Sequence, residues 1–282
     1  MQEVIKMLVA FWSPLHGRGN TSNCIAAAMQ LAMNYNINVF ITHSHYTRST
    51  MESAFLKGDE EEDLLKFSDL GLDSINRAIK TGCLEIEDIE SYCNRIIDNL
   101  HLISGSKKSN EEVFKQNIGK DFGRICNFIK QGDNVTFIDI DSGYKSDIAN
   151  EIIKLSDYVV VTLDQTNLLF EDYFNHENII TPEQEIIVMG RYDENSKYTR
   201  SYTSKKFKCP IYTIPQDTEY LDALNNHRIK DFFQKKYNLE DDLFIDELNL
   251  LVEELVYRFE MYGMTIEKKE EESKKRFAFF GR

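Results

Sequence analysis

Short runs typical of buried strands alternate with helical patterns along the whole chain. Runs rich in β-branched and aromatic residues predict strands at 4–12, 37–42, 99–104, 134–139, 158–163, 185–190 and 210–214. Apolar residues at helical spacing predict helices at 21–34, 47–57, 72–80, 86–98, 110–130, 146–155, 167–175, 218–225, 228–236 and 241–262. Strands joined through helices form right-handed crossovers, so the pattern predicts an α/β fold: a mostly parallel, doubly wound sheet with helices on both faces.

Length and composition agree with one large domain. The chain has 282 residues, of which 42% are hydrophobic, and this is enough for a core on both faces of such a sheet. An acidic stretch at 58–63 and a polar, basic stretch at 192–208 are predicted as surface loops, not as domain boundaries. We therefore expect one domain over residues 1–265 and a charged, basic-aromatic tail over 266–282.

The turn after the first strand carries the most informative chemistry. The strand LVAFW runs into SPLHGRGN and then into an alanine-rich helix. Gly17 and Gly19 permit backbone conformations that other residues avoid, so free amides and a helix N-terminus can face an anion. The turn predicts a phosphate-binding loop, although a merely structural strand-turn-helix would have the same pattern.

This segment resembles the deviant Walker A loop of the ParA/MinD group of ATPases, K-G-G-x-G-K-T-T. The aligned residues are Leu15, His16, Gly17, Arg18, Gly19, Asn20, Thr21 and Ser22. Leu15 replaces the lysine that reaches the partner's nucleotide in the family's dimers, and Asn20 replaces the lysine that holds the β- and γ-phosphates. The resemblance implies that these residues bind ATP or ADP, that Thr21 binds Mg²⁺, and that hydrolysis is impaired.

Later strands extend the resemblance. The segment VTFIDIDSG ends in carboxylates as a Walker B strand does, and Asp139 takes the position that holds Mg²⁺ through water. A plain structural role is the alternative, because aspartates commonly end parallel strands. By the same resemblance the residues at the border of the nucleotide base are Arg191, Pro215, Gln216 and Asp217. Gly190 stands where the family commonly has an asparagine that reads adenine.

The end of the second strand lacks the aspartates that help to activate water in the family. His43, Ser44 and His45 replace them. Alternate strand residues share a face, so His43 and His45 also raise the hypothesis of a metal site. No third ligand lies nearby at a recognised spacing, and polar loop histidines are the preferred interpretation. A competent ATPase with unusual residues is therefore the least favoured function.

Charge and cysteine usage restrict the class of protein. The formal net charge of −14 argues against a surface that coats nucleic acid, because phosphates attract the opposite sign. The five cysteines lack CxxC pairing, which predicts reduced thiols in a cytoplasmic protein. We expect neither a signal peptide nor a membrane span, because no window reaches the roughly 18 apolar residues that a span needs.

The tail EKKEEESKKRFAFFGR combines cations with phenylalanines. It resembles the C-terminal membrane-targeting helix of MinD, which implies weak contact with the inner face of the membrane. The residues concerned are Lys274, Lys275, Arg276, Phe277, Phe279 and Phe280. A frayed tail, or one docked on the body through its phenylalanines, is the alternative.

Within the ParA/MinD group, the chain resembles the TadZ-like branch of pilus assembly and secretion loci, whose members can lack the loop lysine and the aspartates. The resemblance implies a homodimeric ATP-binding protein with weak or no hydrolysis. It would act as a cytoplasmic positioning or assembly factor for a pilus or secretion machine, through a protein partner of that machine. The alternative is a pseudo-ATPase scaffold that binds no nucleotide, with its loop filled by Arg18 or His16.

Overall fold

The computed structural model describes residues 6–46, 49–57, 70–107, 110–177, 179–237, 239 and 241–269. These residues contain a sheet of eight strands in the order β3-β4-β2-β5-β1-β6-β7-β8. The strands are β1 Lys6–Trp12, β2 Val39–His43, β3 Asn94–Ile97, β4 Leu100–Leu102, β5 Asn134–Asp139, β6 Tyr158–Leu163, β7 Glu185–Tyr192 and β8 Ile211–Pro215. Neighbouring strands run parallel except β3 and β4, which pair antiparallel at one edge.

Helices connect these strands. They are α1 Asn20–Asn34, α2 Thr50–Phe55, α3 Leu72–Thr81, α4 Glu111–Asn117, α5 Phe122–Ile129, α6 Asp147–Leu155, α7 Asn167–Asn175, α8 Arg200–Phe207, α9 Thr218–Asn225, α10 Ile229–Tyr237 and α11 Leu243–Met261. Short 3-10 helices lie at Ile86–Tyr92 and Gly119–Asp121. Within the described ranges, no helix combines the length and apolar character needed to cross a membrane.

The two faces of the sheet are covered by different helices. In β1, Val9 and Phe11 pack into the layer that contains α1, α2, α9, α10 and α11. Leu8 and Ala10 point to the other face, where α3, α5, α6 and α7 pack. Because both faces are buried, β1 reads as a continuous apolar run. The predicted doubly wound α/β fold is confirmed.

Side-chain caps explain where several helices begin. In each case an oxygen at the N-cap accepts a hydrogen bond from an amide of the first helical turn. These caps are Ser49 for α2, Asn110 for α4, Ser146 for α6, Thr199 for α8, Asp217 for α9 and Asp242 for α11. Helices α1 and α3 are different, because their N-caps are the glycines Gly19 and Gly71.

The predicted helix at 86–98 is wrong in its second half. Ile89, Cys93 and Ile96 have helical spacing and are all buried. The segment instead forms a 3-10 helix and then β3, which turns back at Asp98 and Asn99 to pair with β4. The buried side of this short hairpin reproduces the helical spacing by chance, so periodicity could not separate the two structures.

Two other segments also differ from the sequence pattern. The predicted polar loop at 192–208 contains α8, whose single buried residue, Thr203, leaves no amphipathic pattern to detect. The predicted helix at 110–130 divides at Gly119 into α4 and α5. Both differences lie in the segments that connect strands and leave the strand order unaffected.

The first residues of the expected tail pack on the body. Nζ of Lys269 donates to the carbonyl oxygen of Ala32 at 2.7 Å and to Oδ1 of Asn99 at 3.1 Å. Lys268 forms an isolated antiparallel bridge with Tyr35. The basic-aromatic segment at 274–282 lies outside the described residues, so its membrane role stays a prediction.

Candidate functional site

The loop between β1 and α1 has the backbone form of an anion-binding turn. Gly17 and Gly19 have φ angles of 75° and 83°, in the region that side chains disfavour. Gly19 is also the N-cap of α1, and no side chain in the described ranges caps this helix. The amides of the first turn therefore lack the side-chain acceptor that six of the other helices have, and they can face an anion.

The register of the sheet places Asp139 beside this loop. Phe11, near the end of β1, pairs with Asp139 at the end of β5, and His43 at the end of β2 pairs with it from the other side. Asp139 is only 1% exposed. Its Oδ2 accepts a hydrogen bond from Oγ1 of Thr21 at 2.5 Å. The two residues that the sequence predicts as magnesium ligands are thus brought together.

Asn20 points beneath the loop. Its Nδ2 donates to the carbonyl oxygen of Phe11 and to Oδ1 of Asp139, both at 2.7 Å. The residue is 7% exposed, and its Oδ1 is buried without a partner among the described residues. Asn20 therefore fastens the start of α1 to β1 and β5, and its neutral amide supplies no positive charge to a phosphate.

His45 lies between two carboxylates. Its Nε2 donates to Oδ2 of Asp139 at 3.0 Å, and its Nδ1 donates to Oδ1 of Asp141 at 2.7 Å. Burial lowers the pKa of His45, but its hydrogen bonds to both aspartates and their negative charges outweigh burial and raise the pKa to about 10. His45 is therefore an imidazolium at neutral pH, and a positive charge sits against Asp139.

His43 has a separate partner. Its Nδ1 accepts from the backbone N–H of His45 at 3.2 Å, so its Nε2 carries the proton and donates to Oε1 of Glu52 at 2.8 Å. The same Glu52 oxygen accepts from the N–H of Gly105 at 2.8 Å. Burial raises the pKa of Glu52, but the electrostatic interaction and hydrogen bond with His43, together with the Gly105 N–H, outweigh burial and lower the pKa below its ordinary value.

The histidines therefore act as donors to carboxylates. Among the described residues, no group of three or more His, Cys, Asp or Glu side chains could hold a metal ion. His45 lies in the loop after β2, as the preferred interpretation predicts, whereas His43 is the last residue of β2 and is 3% exposed, so it is not a loop histidine.

Two arginines border the loop. Arg18 forms an ion pair with Asp164, which follows β6, and its Nε is buried without a partner among the described residues. Arg191 sits at a bulge in β7 with a φ angle of 51°. Its Nε lies 3.6 Å from where a Cβ on Gly19 would be. Arg191 thus reaches the loop from a different strand.

The expected base-binding residues lie at the end of β8. Pro215 pairs with Tyr192, and the N–H of Gln216 donates to the carbonyl oxygen of Tyr192 at 3.0 Å. Asp217 caps α9, and its Oδ2 accepts from Nζ of Lys236 at 3.1 Å. Parallel β7 and β8 end at the same edge as β1, so these residues border the same side of the sheet as the loop.

Gly190 has a packing function. A Cβ at this position would lie 2.8 Å from Nδ2 of Asn23 and 3.4 Å from the carbonyl oxygen of Arg18. Asn23 is buried on α1. The glycine lets the loop and α1 approach β7, which explains why the chain has no side chain where the resembled family commonly has asparagine.

The sequence did not reveal three members of the site. The sequence indicates His45 but not its contact with Asp139, and it does not indicate Asp141 or Asp164 as partners in the site. Local spacing could have suggested Asp141, which lies two residues after Asp139. The other contacts depend on strands far apart in sequence, and no motif signals them.

The architecture defines a class of α/β protein in which a glycine loop joins the central strand to the helix that follows it, with a carboxylate on the neighbouring strand. No protein-family model and no curated protein matches the sequence. Solved structures do: a ParA family ATPase from Chlorobium tepidum TLS is 15% identical with a TM-score of 0.66, and the match covers 88% of this chain and 97% of that one.

Two further structures have the same arrangement. The septum site-determining protein MinD from Pyrococcus horikoshii OT3, complexed with Mg-ADP, is 13% identical with a TM-score of 0.63, and the match covers 89% of this chain and 97% of that one. A putative plasmid partition protein from Borrelia burgdorferi B31 bound to AMPPNP is 15% identical with a TM-score of 0.61, covering 90% and 99%. The chain therefore has the ParA/MinD-like P-loop fold.

Proposed function

We propose that the chain is a ParA/MinD-like nucleotide-binding protein that holds the phosphates of ATP or ADP against the loop from Leu15 to Ser22. The observation that carries this proposal is the start of α1: a left-handed Gly19 and a first turn without a side-chain cap. Backbone amides at such a helix start bind phosphate without any lysine. Arg191 supplies positive charge beside Gly19.

The base would lie toward the ends of β7 and β8. Arg191, Pro215, Gln216 and Asp217 border that side of the loop. The side chain of Asp217 caps α9 and forms an ion pair with Lys236, so its position at this side of the nucleotide site is fixed. Gly190 offers no side chain for adenine, and recognition of the base would therefore rest on Gln216 and on backbone groups.

The residues predicted to hold Mg²⁺ do not fit a metal as they are arranged. Thr21 and Asp139 touch, but both oxygens of Asp139 already accept hydrogen bonds, and His45 places a positive charge against them. Mg²⁺ requires a nearly octahedral set of oxygens that includes several waters. The magnesium site stays a prediction, and no step of the proposed function depends on it.

Hydrolysis is expected to be very slow or absent. Asn20 cannot neutralise charge that develops on the γ-phosphate, and its amide is tied to Phe11 and Asp139. His45 is fully engaged by two aspartates and has no free basic nitrogen to accept a proton from water. The site therefore supports binding better than turnover.

Calorimetric titration of the full chain with ATP and with ADP tests the proposal. Gly19→Ala should abolish binding, because φ is 83° there and a Cβ would lie 3.2 Å from Oγ of Ser22. Gly82→Ala is the matched control, since Gly82 has a φ of 66° at the end of α3 with open space around it. Absence of heat at millimolar nucleotide in the wild type would reject nucleotide binding.

A second candidate function is a scaffold that binds no nucleotide. The observation that favours it is the ion pair between Arg18 and Asp164, which holds a loop side chain inside the site. In that case Asp164→Asn would release Arg18 and create measurable ATP binding in a protein that otherwise has none.

The biological role we propose is that of a cytoplasmic positioning or assembly factor for a pilus or secretion machine, which works as a homodimer with a protein partner from that machine. Support comes from the ParA/MinD-like fold. The sequence resemblance to the TadZ-like branch, whose members can lack the loop lysine, adds to it. The tail would add weak membrane contact. Binding to anionic vesicles that is unchanged after deletion of residues 274–282 would remove the tail from this role.

A further inference from the structure

Asp139 is surrounded by three donors, two from the start of α1 and one from the loop after β2. Its Oδ1 accepts from Nδ2 of Asn20 on α1 at 2.7 Å. Its Oδ2 accepts from Oγ1 of Thr21 at 2.5 Å and from Nε2 of His45, just after β2, at 3.0 Å. The side chain is 1% exposed. Both oxygens of this buried carboxylate therefore already accept hydrogen bonds from groups of the chain itself.

The nearby carboxylate of Asp141 also accepts a hydrogen bond from the chain. Oδ1 of Asp141 accepts from Nδ1 of His45 at 2.7 Å, so a single imidazole ring joins both aspartates. A cation bound through water at Asp139 would have to displace Nε2 of His45 and break the contact to Asp141 with it. Family-type magnesium binding needs this carboxylate face open to the ion's water shell.

We propose that phosphate binding at the loop does not require a divalent cation, because His45, Asn20 and Thr21 hold Asp139 where a hydrated metal would otherwise be held. This inference rests on the proposed function, and the species bound is the metal-free nucleoside di- or triphosphate. Positive charge comes from Arg191, which lies beside Gly19. The Asp139 cluster then serves to fix the start of α1 against β5 and β2.

The test is titration of the full chain with ATP in MgCl₂ and, in parallel, in EDTA. The wild-type dissociation constant should differ by less than about threefold between the two. His45→Ala removes the hydrogen bonds to Asp139 and Asp141, so both carboxylates can face a hydrated cation. The dissociation constant for ATP should then be about tenfold or more lower in MgCl₂ than in EDTA. His45→Gln, which keeps one donor, should show the same trend with less risk to folding.

His176→Ala is the matched control. His176 is an exposed histidine that stacks on Tyr144, outside the loop and the Asp139 cluster. This variant should keep the metal-independent binding of the wild type. A wild type that binds ATP only in MgCl₂ would overturn the inference and leave the proposed function intact.

No ATP binding under either condition would reject the proposed function, and the cluster is then tested alone. Mn²⁺ is titrated into the nucleotide-free chain and followed by electron paramagnetic resonance. Bound Mn²⁺ that disappears in Asp139→Asn would overturn the inference, and absence of bound Mn²⁺ in the wild type would support it. The titration of the wild type itself needs no substitution, and Asp139→Asn is required only if Mn²⁺ binds.

Discussion

Nδ2 of Asn20 lies 2.7 Å from Oδ1 of Asp139 and equally far from the carbonyl oxygen of Phe11. The position that bears a phosphate-binding lysine in the resembled family thus holds an amide bound to the strands below the loop. Asn20 cannot turn toward a phosphate without losing two buried hydrogen bonds, each of which contributes about 1 kcal/mol. In this chain Asn20 therefore has a structural role at the base of the loop.

Asn20→Lys should strengthen ATP binding without restoring turnover. A lysine adds a cation to the loop, and we expect the dissociation constant for ATP to fall by about tenfold. The rate of phosphate release should stay near the wild-type value, because the β2 end still carries His43 and His45 in place of carboxylates. Calorimetry and a phosphate-release assay measure the two effects.

Asn36→Lys is the control for added charge. Asn36 is exposed after the end of α1, and its substitution adds the same charge away from the loop. Equal tightening by both variants would show that the gain is a general charge effect. A rate restored to that of ordinary enzymes by Asn20→Lys alone would contradict our account of the missing catalytic groups.

Gly190→Ala should destabilise the junction of β7 and α1. The new Cβ would lie 2.8 Å from Nδ2 of Asn23, which is 3% exposed and has little room to move. Overpacking of this kind costs about 1–3 kcal/mol in free energy of unfolding. Urea denaturation measures the loss.

A double-mutant cycle tests the cause. Asn23→Ala removes the atom in conflict, so the double variant should lose less stability than the sum of the two single variants. Strictly additive losses would show that the clash with Asn23 is not the source of the effect. Gly190→Asn, which introduces the family's common residue, should be at least as destabilising as Gly190→Ala.

The sequence predicts what is encoded locally. The strand-loop-helix at 8–34 follows from an apolar run, two glycines and an alanine-rich helix, and the carboxylate end of β5 follows from VTFIDID. The bridge from His45 to Asp139 and Asp141 was not predictable, because it requires β2 to lie beside β5 in one particular register. Helix α8 was missed because only Thr203 is buried, and β3 because its hairpin imitates helical spacing.

The contribution of Glu52 to stability should disappear in acid. The pKa of the folded state lies below the ordinary value of 4.5, so the ionised carboxylate stabilises the fold fully above pH 4.5. This contribution is lost as pH falls through the folded-state pKa. Glu52→Gln should cost about 1–3 kcal/mol at neutral pH, because it weakens the contacts with His43 and Gly105.

Urea denaturation of the wild type and of Glu52→Gln, from neutral pH to below pH 4.5, measures the contribution of Glu52 to the free energy of unfolding. The difference in unfolding free energy should be largest above pH 4.5 and should shrink in more acidic buffers. Glu87→Gln, on an exposed glutamate, should show no such dependence. A difference that grows as pH falls would mean that the pKa of Glu52 is raised in the folded protein.

Leu15 should lie in the contact between two copies of the chain. It is 44% exposed at the rim of the loop, where the resembled family places a lysine that crosses its dimer. Burial of a leucine stabilises an interface by about 1.5–3 kcal/mol, so Leu15→Asp should raise the dimer dissociation constant by tenfold or more, on the order of that energy. Sedimentation velocity over a range of concentrations gives this constant, with and without ATP.

Leu250→Asp provides the matched control for the dimer. Leu250 is 42% exposed on α11, so Leu250→Asp removes a comparable apolar side chain from a different element. We expect this variant to dimerise as the wild type does. Dissociation by Leu250→Asp with no effect of Leu15→Asp would move the interface to α11, and a wild type that stays monomeric at high concentration with and without ATP would reject the dimer. Burial of Leu15 between two copies of the chain does not depend on bound nucleotide, so the dimer should form without ATP.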